Sequence, residues 1–129
     1  EIIKIVTEII DEKNIALIGT KSNRGYPNIK ALSVMKKEGL HKFYFSTKIN
    51  STKVKQIKRR KKGCIYFYDE KNYIGIMIEG TFEVEHNRSV GISKLYDLDA
   101  IDPYDFCTII FTSKYLHAYL HYQKVKIKL

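Results

Sequence analysis

The sequence predicts a small, mainly β domain, an antiparallel barrel with helices attached to it. Three observations carry that prediction. About six or seven short runs alternate apolar and polar residues between tight-turn signals. The longest run, residues 73–85, holds Gly75 and Gly80 inside it, as strands do where a barrel bends. Three other segments carry a helical period, one at the start, one after the third strand and one after the long strand.

Taken in order, residues 2–13 place Ile2, Val6, Ile9 and Ile10 on one helical face with acids opposite. Residues 14–20 (NIALIGT) form the first strand, and 21–27 (KSNRGYP) a loop. Strand character resumes over 29–36, turns at Glu38-Gly39, and alternates through 40–46 (LHKFYFS). The period then changes. Over 51–61, Val54 and Ile57 form a narrow apolar stripe among lysines, a short helix that Gly63 would end. Residues 64–68 (CIYFY) make a strand, 69–72 a turn and 73–85 the long strand. A helix is expected over 87–100, a break at Asp102-Pro103, strands over 106–112 and 115–122, and an edge strand over 125–129.

The 129 residues fit one domain, 1–129, with 44% apolar residues to build a core. No apolar run approaches the roughly 18 residues of a membrane span. No secretory pattern is read, so a cytoplasmic protein is expected. Cys64 and Cys107 stand far apart in strand-like runs and read as buried thiols rather than a disulfide. His117 and His121 could share a helical face as metal ligands, but LHAYLHY alternates like a strand, and no metal site is expected. No Ser/His/Asp set appears. His41 and His86 read as structural, and Tyr96 and Tyr104 as remote pocket candidates, so catalytic residues stay unassigned.

The net charge of +9 is unevenly spread. Residues 1–45 carry +3, 46–62 carry +8 with no acid, 63–113 carry −6 and the tail carries +4. The basic stretch, STKINSTKVKQIKRRKK, therefore needs a local explanation. Ser51 precedes the helical pattern as an N-cap should, and a capping-box Glu or Gln at Val54 is absent. Helix N-termini attract phosphate, and Thr47, Ser51, Thr52 and Lys53 can add donors. A second reading makes Ser51 a plain cap and the lysines a solvated face. A third is a nucleic-acid surface. The aromatics nearest in sequence, Phe43, Tyr44 and Phe45, read as barrel wall rather than stacking platforms.

The segments GYPNIKALSV (25–34), FYFSTKINSTKVKQI (43–57), a strand ending YFYD, and IGIMIEGTFEVE (74–85) follow one another in a characteristic order. In this the chain resembles the pyridoxamine 5′-phosphate oxidase-like family of FMN-binding split barrels, and within it the general-stress-protein-26-like branch. The resemblance covers roughly residues 14–122. Its most specific element is T-x-x-x-S-x-K at Thr47, Ser51 and Lys53.

The resemblance implies a split-barrel homodimer with FMN at the subunit interface. Ser51, Thr52 and Lys53 would hold the phosphate, Thr52 standing where the family usually has Arg. Lys30, Ala31, Leu32 and Ser33 would lie along the cofactor, as would Ser46 and Thr47. The chain departs from true pyridoxamine phosphate oxidases at Met35, where they have Lys, and at Gly75, where they have Gln. It has no Trp, and its C-terminal YLHYQKVKIKL lacks their Arg- and Trp-bearing segment. The expected function is an FMN-dependent oxidoreductase of unknown small-molecule substrate, with a nicotinamide or other reductant. The alternatives are a flavin-binding stress protein acting as carrier or sensor, and a nucleic-acid-binding barrel.

Overall fold

A computed structural model describes residues 2–86 and 105–129. The elements are α1 (Ile2–Asp11), β1 (Ile15–Lys21), β2 (Pro27–Glu38), β3 (Lys42–Lys48), α2 (Thr52–Arg59), β4 (Lys62–Asp69), β5 (Ile74–Glu85), β6 (Phe106–Leu120) and β7 (Gln123–Lys128). The strands form one antiparallel sheet in the order β3-β2-β1-β4-β5-β6-β7. An additional β3–β6 pairing closes its first six strands into a barrel.

Closure depends on two long strands that change partners. The first half of β2 pairs with β1, its second half with β3, and Met35 is the extra residue at the change. The first half of β6 pairs with β3 and its second half with β7, while β5 runs along its other side. There Lys114 is the extra residue, opposite the Glu79-Gly80 step. Such bulges bend a strand and increase its twist.

Inside, Phe43, Phe67, Phe82 and Phe111 are fully buried and in ring contact, with centroids 4.8–6.4 Å apart. Val6 and Ile10 of α1 join the same core, as do Val54 and Ile57 of α2. The α1 C-terminus is held by Lys37, whose Nζ donates to the carbonyls of Ile10, Asp11 and Lys13 at 2.8, 3.3 and 2.7 Å.

Two expectations are corrected. Gly63 does not end α2, which stops at Arg59. It lies in β4, where a Cβ would stand 2.5 Å from the Gly19 carbonyl and from the Phe82 ring. Its small size serves interstrand packing. Residues 106–120 form one strand rather than two, because the bulge at Lys114 absorbs the break in alternation that looked like a turn. His117 therefore lies on β6, and His121 follows it in a turn at φ 52°. They share no helical face. The expected helix at 87–100, the Asp102-Pro103 break, Tyr96 and Tyr104 lie outside the described residues. No described helix is long and apolar enough to cross a membrane.

Candidate functional site

The segment after β3 crosses one end of the barrel. Ile49 N donates to the Asp105 carbonyl at 2.9 Å, and Ser51 N to the Lys48 carbonyl at 3.2 Å, which turns the chain into α2. The helix is then fastened on two sides. Val54 and Ile57 enter the core, and the buried Gln56 Oε1 accepts from Thr20 Oγ1 at 2.6 Å and Asn28 Nδ2 at 3.0 Å. Gln56 thus fixes α2 against β1 and β2. The sequence reading missed it, because a Gln in a lysine-rich helix looks like surface until its partners in other strands are known.

Ser51 has the extended backbone of an N-cap, φ −70° and ψ 157°, yet its side chain makes no capping hydrogen bond. Its Oγ is buried without any partner, as is the Oγ of Ser46. A buried, unsatisfied hydroxyl costs about 1–3 kcal/mol, so Ser51 is not the self-sufficient cap that its position predicts. The helix amides of the first turn also lack a capping side chain.

Lys53 projects from that first turn and is half-buried. Burial holds its ammonium below the usual lysine range, and the nearby Lys30 ammonium pushes it the same way. Proximity to Cys107 acts weakly in the opposite sense. Cys107 lies opposite Thr47 across the β3–β6 pairing. Its thiol is pushed up by burial, and Lys58 and Lys53 pull it partly back. Lys30, Thr47 and Lys53 therefore gather at one end of the barrel, although 23 positions separate the two lysines.

The other candidates divide between the two faces of β2. Leu32 packs against the core opposite Ala16. Ala31 and Ser33 face outward, opposite Leu17 and Ile15. That outer face is wide. The register continues the Ala31–Leu17 row through Tyr66, Met77 and His117. Ile15, Ile29 and Tyr68 are 59%, 63% and 52% exposed on it, an uncommonly apolar surface for a sheet facing water. A cleft of about 470 Å³ opens there, lined by Tyr66, Tyr68, Tyr73, Tyr119 and Gly75. Gly75 makes room for it: a Cβ would fall 2.1 Å from the Tyr66 hydroxyl. On the same face His117 Nε2 lies 2.6 Å from Glu79 Oε1.

A phosphate suits the end that carries α2. Two cations stand close together, a hydroxyl lacks its partner, and a helix N-terminus is uncapped. Each feature is unfavourable alone, and one anion relieves all three.

The family model "Pyridoxamine 5'-phosphate oxidase like" matches residues 1–97. No curated protein matches the sequence. Among solved structures, the chain is similar to a protein from Clostridium acetobutylicum related to general stress protein 26 of Bacillus subtilis, of the pyridoxinephosphate oxidase family. They share 31% identity over 98% of this chain and 94% of that one, with a TM-score of 0.87. A pyridoxamine 5'-phosphate oxidase-related, FMN-binding protein from Nostoc punctiforme matches in fold at 12% identity. That match covers 90% of this chain and 86% of the other, with a TM-score of 0.67. A heme-binding protein from Mycobacterium smegmatis matches in fold at 11% identity. It covers 99% of this chain and 58% of the other, with a TM-score of 0.75. The family match over three quarters of the sequence, the closed barrel and the T-x-x-x-S-x-K turn at its end agree: the chain belongs to the pyridoxamine 5′-phosphate oxidase-like family of split barrels.

Proposed function

We propose that the protein binds FMN at the α2 end of the barrel and acts as an FMN-dependent oxidoreductase on a small molecule. The observation that carries this reading is the partnerless buried Oγ of Ser51 beside the Lys53–Lys30 pair. In this reading Ser51 donates its hydroxyl to a phosphate oxygen, with Thr52 and the free amides of the first turn beside it. Lys53 and Lys30 supply the charge, and Thr47 and Ser46 close the cradle from β3. Ala31 and Ser33 border the ring on the outer face, while Leu32 acts from within by fixing β2. When bound, FMN supplies the electron- or hydride-transfer chemistry. The chain's residues bind it, orient it and exclude water.

The exposed Ile15, Ile29 and Tyr68 mark the face that a second copy would cover, giving a homodimer with the cofactor at its interface. A nicotinamide would serve as reductant. FMN titration of the purified protein, with visible absorbance and solution size, tests the reading. Stoichiometric binding to a dimer and reduction of the bound flavin by NADH or NADPH are expected. Binding without reduction by any nicotinamide would leave a flavin carrier or sensor. No binding at tens of micromolar FMN (about 6–7 kcal/mol) would overturn the assignment.

A further inference from the structure

The structure places an exposed aromatic, Tyr26, next to a cation, Arg24, that lines a groove along the basic helix. The β1–β2 loop, residues 22–26, folds back toward α2. It is tied by Ser22 N to the Tyr26 carbonyl at 2.8 Å, Gly25 N to the Ser22 carbonyl at 3.0 Å, and Tyr26 N to Ser22 Oγ at 3.0 Å. Gly25 takes the left-handed conformation, φ 86°, that this turn requires. Between loop and helix lies a groove of about 400 Å³, lined by Ser22, Asn23 and Arg24 on one wall and Thr52, Lys55 and Arg59 on the other. No acid lines it, and none of its three cations is ion-paired among the described residues. At its lip the Arg24 guanidinium lies 5.5 Å from the Tyr26 ring centroid, and Tyr26 is 65% exposed.

The opposite flank of α2 differs. Lys58 and Lys61 share their pocket with Glu83 and His86. An ordinary solvated basic face would resemble that flank, with acids interspersed. The groove instead combines unpaired cations, hydroxyl and amide donors, and an exposed aromatic on a tied loop. Those are the parts of a single-strand nucleic-acid surface, in which cations track the backbone and a base stacks on the ring.

We propose that the groove between residues 22–26 and α2 binds the sugar-phosphate backbone of single-stranded nucleic acid, with a base stacked on Tyr26. Arg24, Lys55 and Arg59 contact phosphates, and Ser22 and Asn23 add hydrogen bonds. The groove adjoins the proposed FMN cradle at Thr52, but its three cations, Arg24, Lys55 and Arg59, are not among the residues assigned to FMN. Neither Lys53 nor Lys30 lines the groove.

The test is fluorescence anisotropy of a short labelled oligouridylate against the full chain with FMN in the buffer, across a salt series. Three phosphate contacts predict a log–log salt slope of roughly −2. The triple variant R24A/K55A/R59A should lose at least about tenfold in affinity at low salt, with unchanged melting temperature. Tyr26→Ala should lose roughly five- to hundredfold. The K58A/K61A variant should lose less than the triple variant. Failure to bind at low salt, or equal binding by the triple variant, overturns the proposal. So does displacement by tripolyphosphate at matched phosphate concentration combined with no effect of Tyr26→Ala, which would assign the groove to a small anion.

Discussion

Two lysines sit half-buried at two helix ends, and only one of them is satisfied. Lys37 reaches the C-terminus of α1 and donates to three backbone carbonyls. Burial lowers its pKa, but the Asp11 carboxylate opposes that shift. Lys53 sits at the N-terminus of α2, where the helix dipole repels it. Burial lowers its pKa too, and the Lys30 ammonium adds to the shift. It has no hydrogen-bond or ion-pair partner among the described residues. The same residue type therefore does opposite work. Lys37 completes a structure, whereas Lys53 carries a cost in the free fold that, on the proposed function, a bound anion would offset. Burial of a charge reads as structural where its partners are internal, and as a binding site where they are missing.

The comparison can be broken by substitution. On the proposed function, Lys53→Met removes a charge-assisted contact worth roughly 1.5–3 kcal/mol, so FMN affinity should fall about ten- to hundredfold. The free protein should melt no lower than the parent. A titration and a thermal scan of the same sample decide both points, and a stability loss with unchanged affinity would make Lys53 structural.

Lys37→Met should behave in reverse. Three carbonyls lose their shared donor, and urea unfolding should show a loss of about 1–3 kcal/mol with FMN affinity unaltered. An unchanged unfolding midpoint would show that α1 is held by Val6 and Ile10 alone.

The pH dependence sharpens the contrast. A bound phosphate raises the lowered pKa of Lys53, so binding takes up a proton in the interval between the free and bound values. Affinity should be full below the free-state pKa and fall as alkaline pH rises through it. Lys53→Met should flatten that part of the profile, and a parental profile that is already flat would mean Lys53 does not meet the anion.

The smallest effect is expected at Ser51. An N-cap Ser that bonds a backbone amide typically costs about 1 kcal/mol to lose, but this one makes no such bond. Ser51→Ala removes a buried hydroxyl without a partner, so the free protein should be at least as stable as before, and FMN should weaken by roughly fivefold, about 1 kcal/mol. A clear loss of stability would show that the hydroxyl caps α2 in solution.

Much of this was legible in the chain itself. Strand-like patterning located every described strand but β6 to within a few residues, because a strand between two environments must repeat every second residue, and it split β6 in two. The change of period after Ser51 located α2, and the run of lysines after Thr47 located the basic segment that carries it. The misreadings share one cause. Gly63 looks like a helix stop because its neighbours in sequence are helical, whereas the contacts that require glycine come from Gly19 and Phe82. The join at Ser113-Lys114 looks like a turn because a bulge and a turn both interrupt alternation.

By itself, then, the sequence determined the local conformations, the barrel class and the position of the basic turn. These depend on periodicity and on residues a few positions apart. Only the tertiary structure decided that Lys30 lies near Lys53, that Gln56 anchors α2, that Ser51 Oγ is left without a partner, and that Arg24, beside Tyr26, lines a groove with the basic helix. Each of these is a contact across strands, set by sheet register and by where the barrel closes. A one-residue slip of a strand would turn its side chains to the opposite face, and no local pattern in the chain records which register the packed barrel adopts.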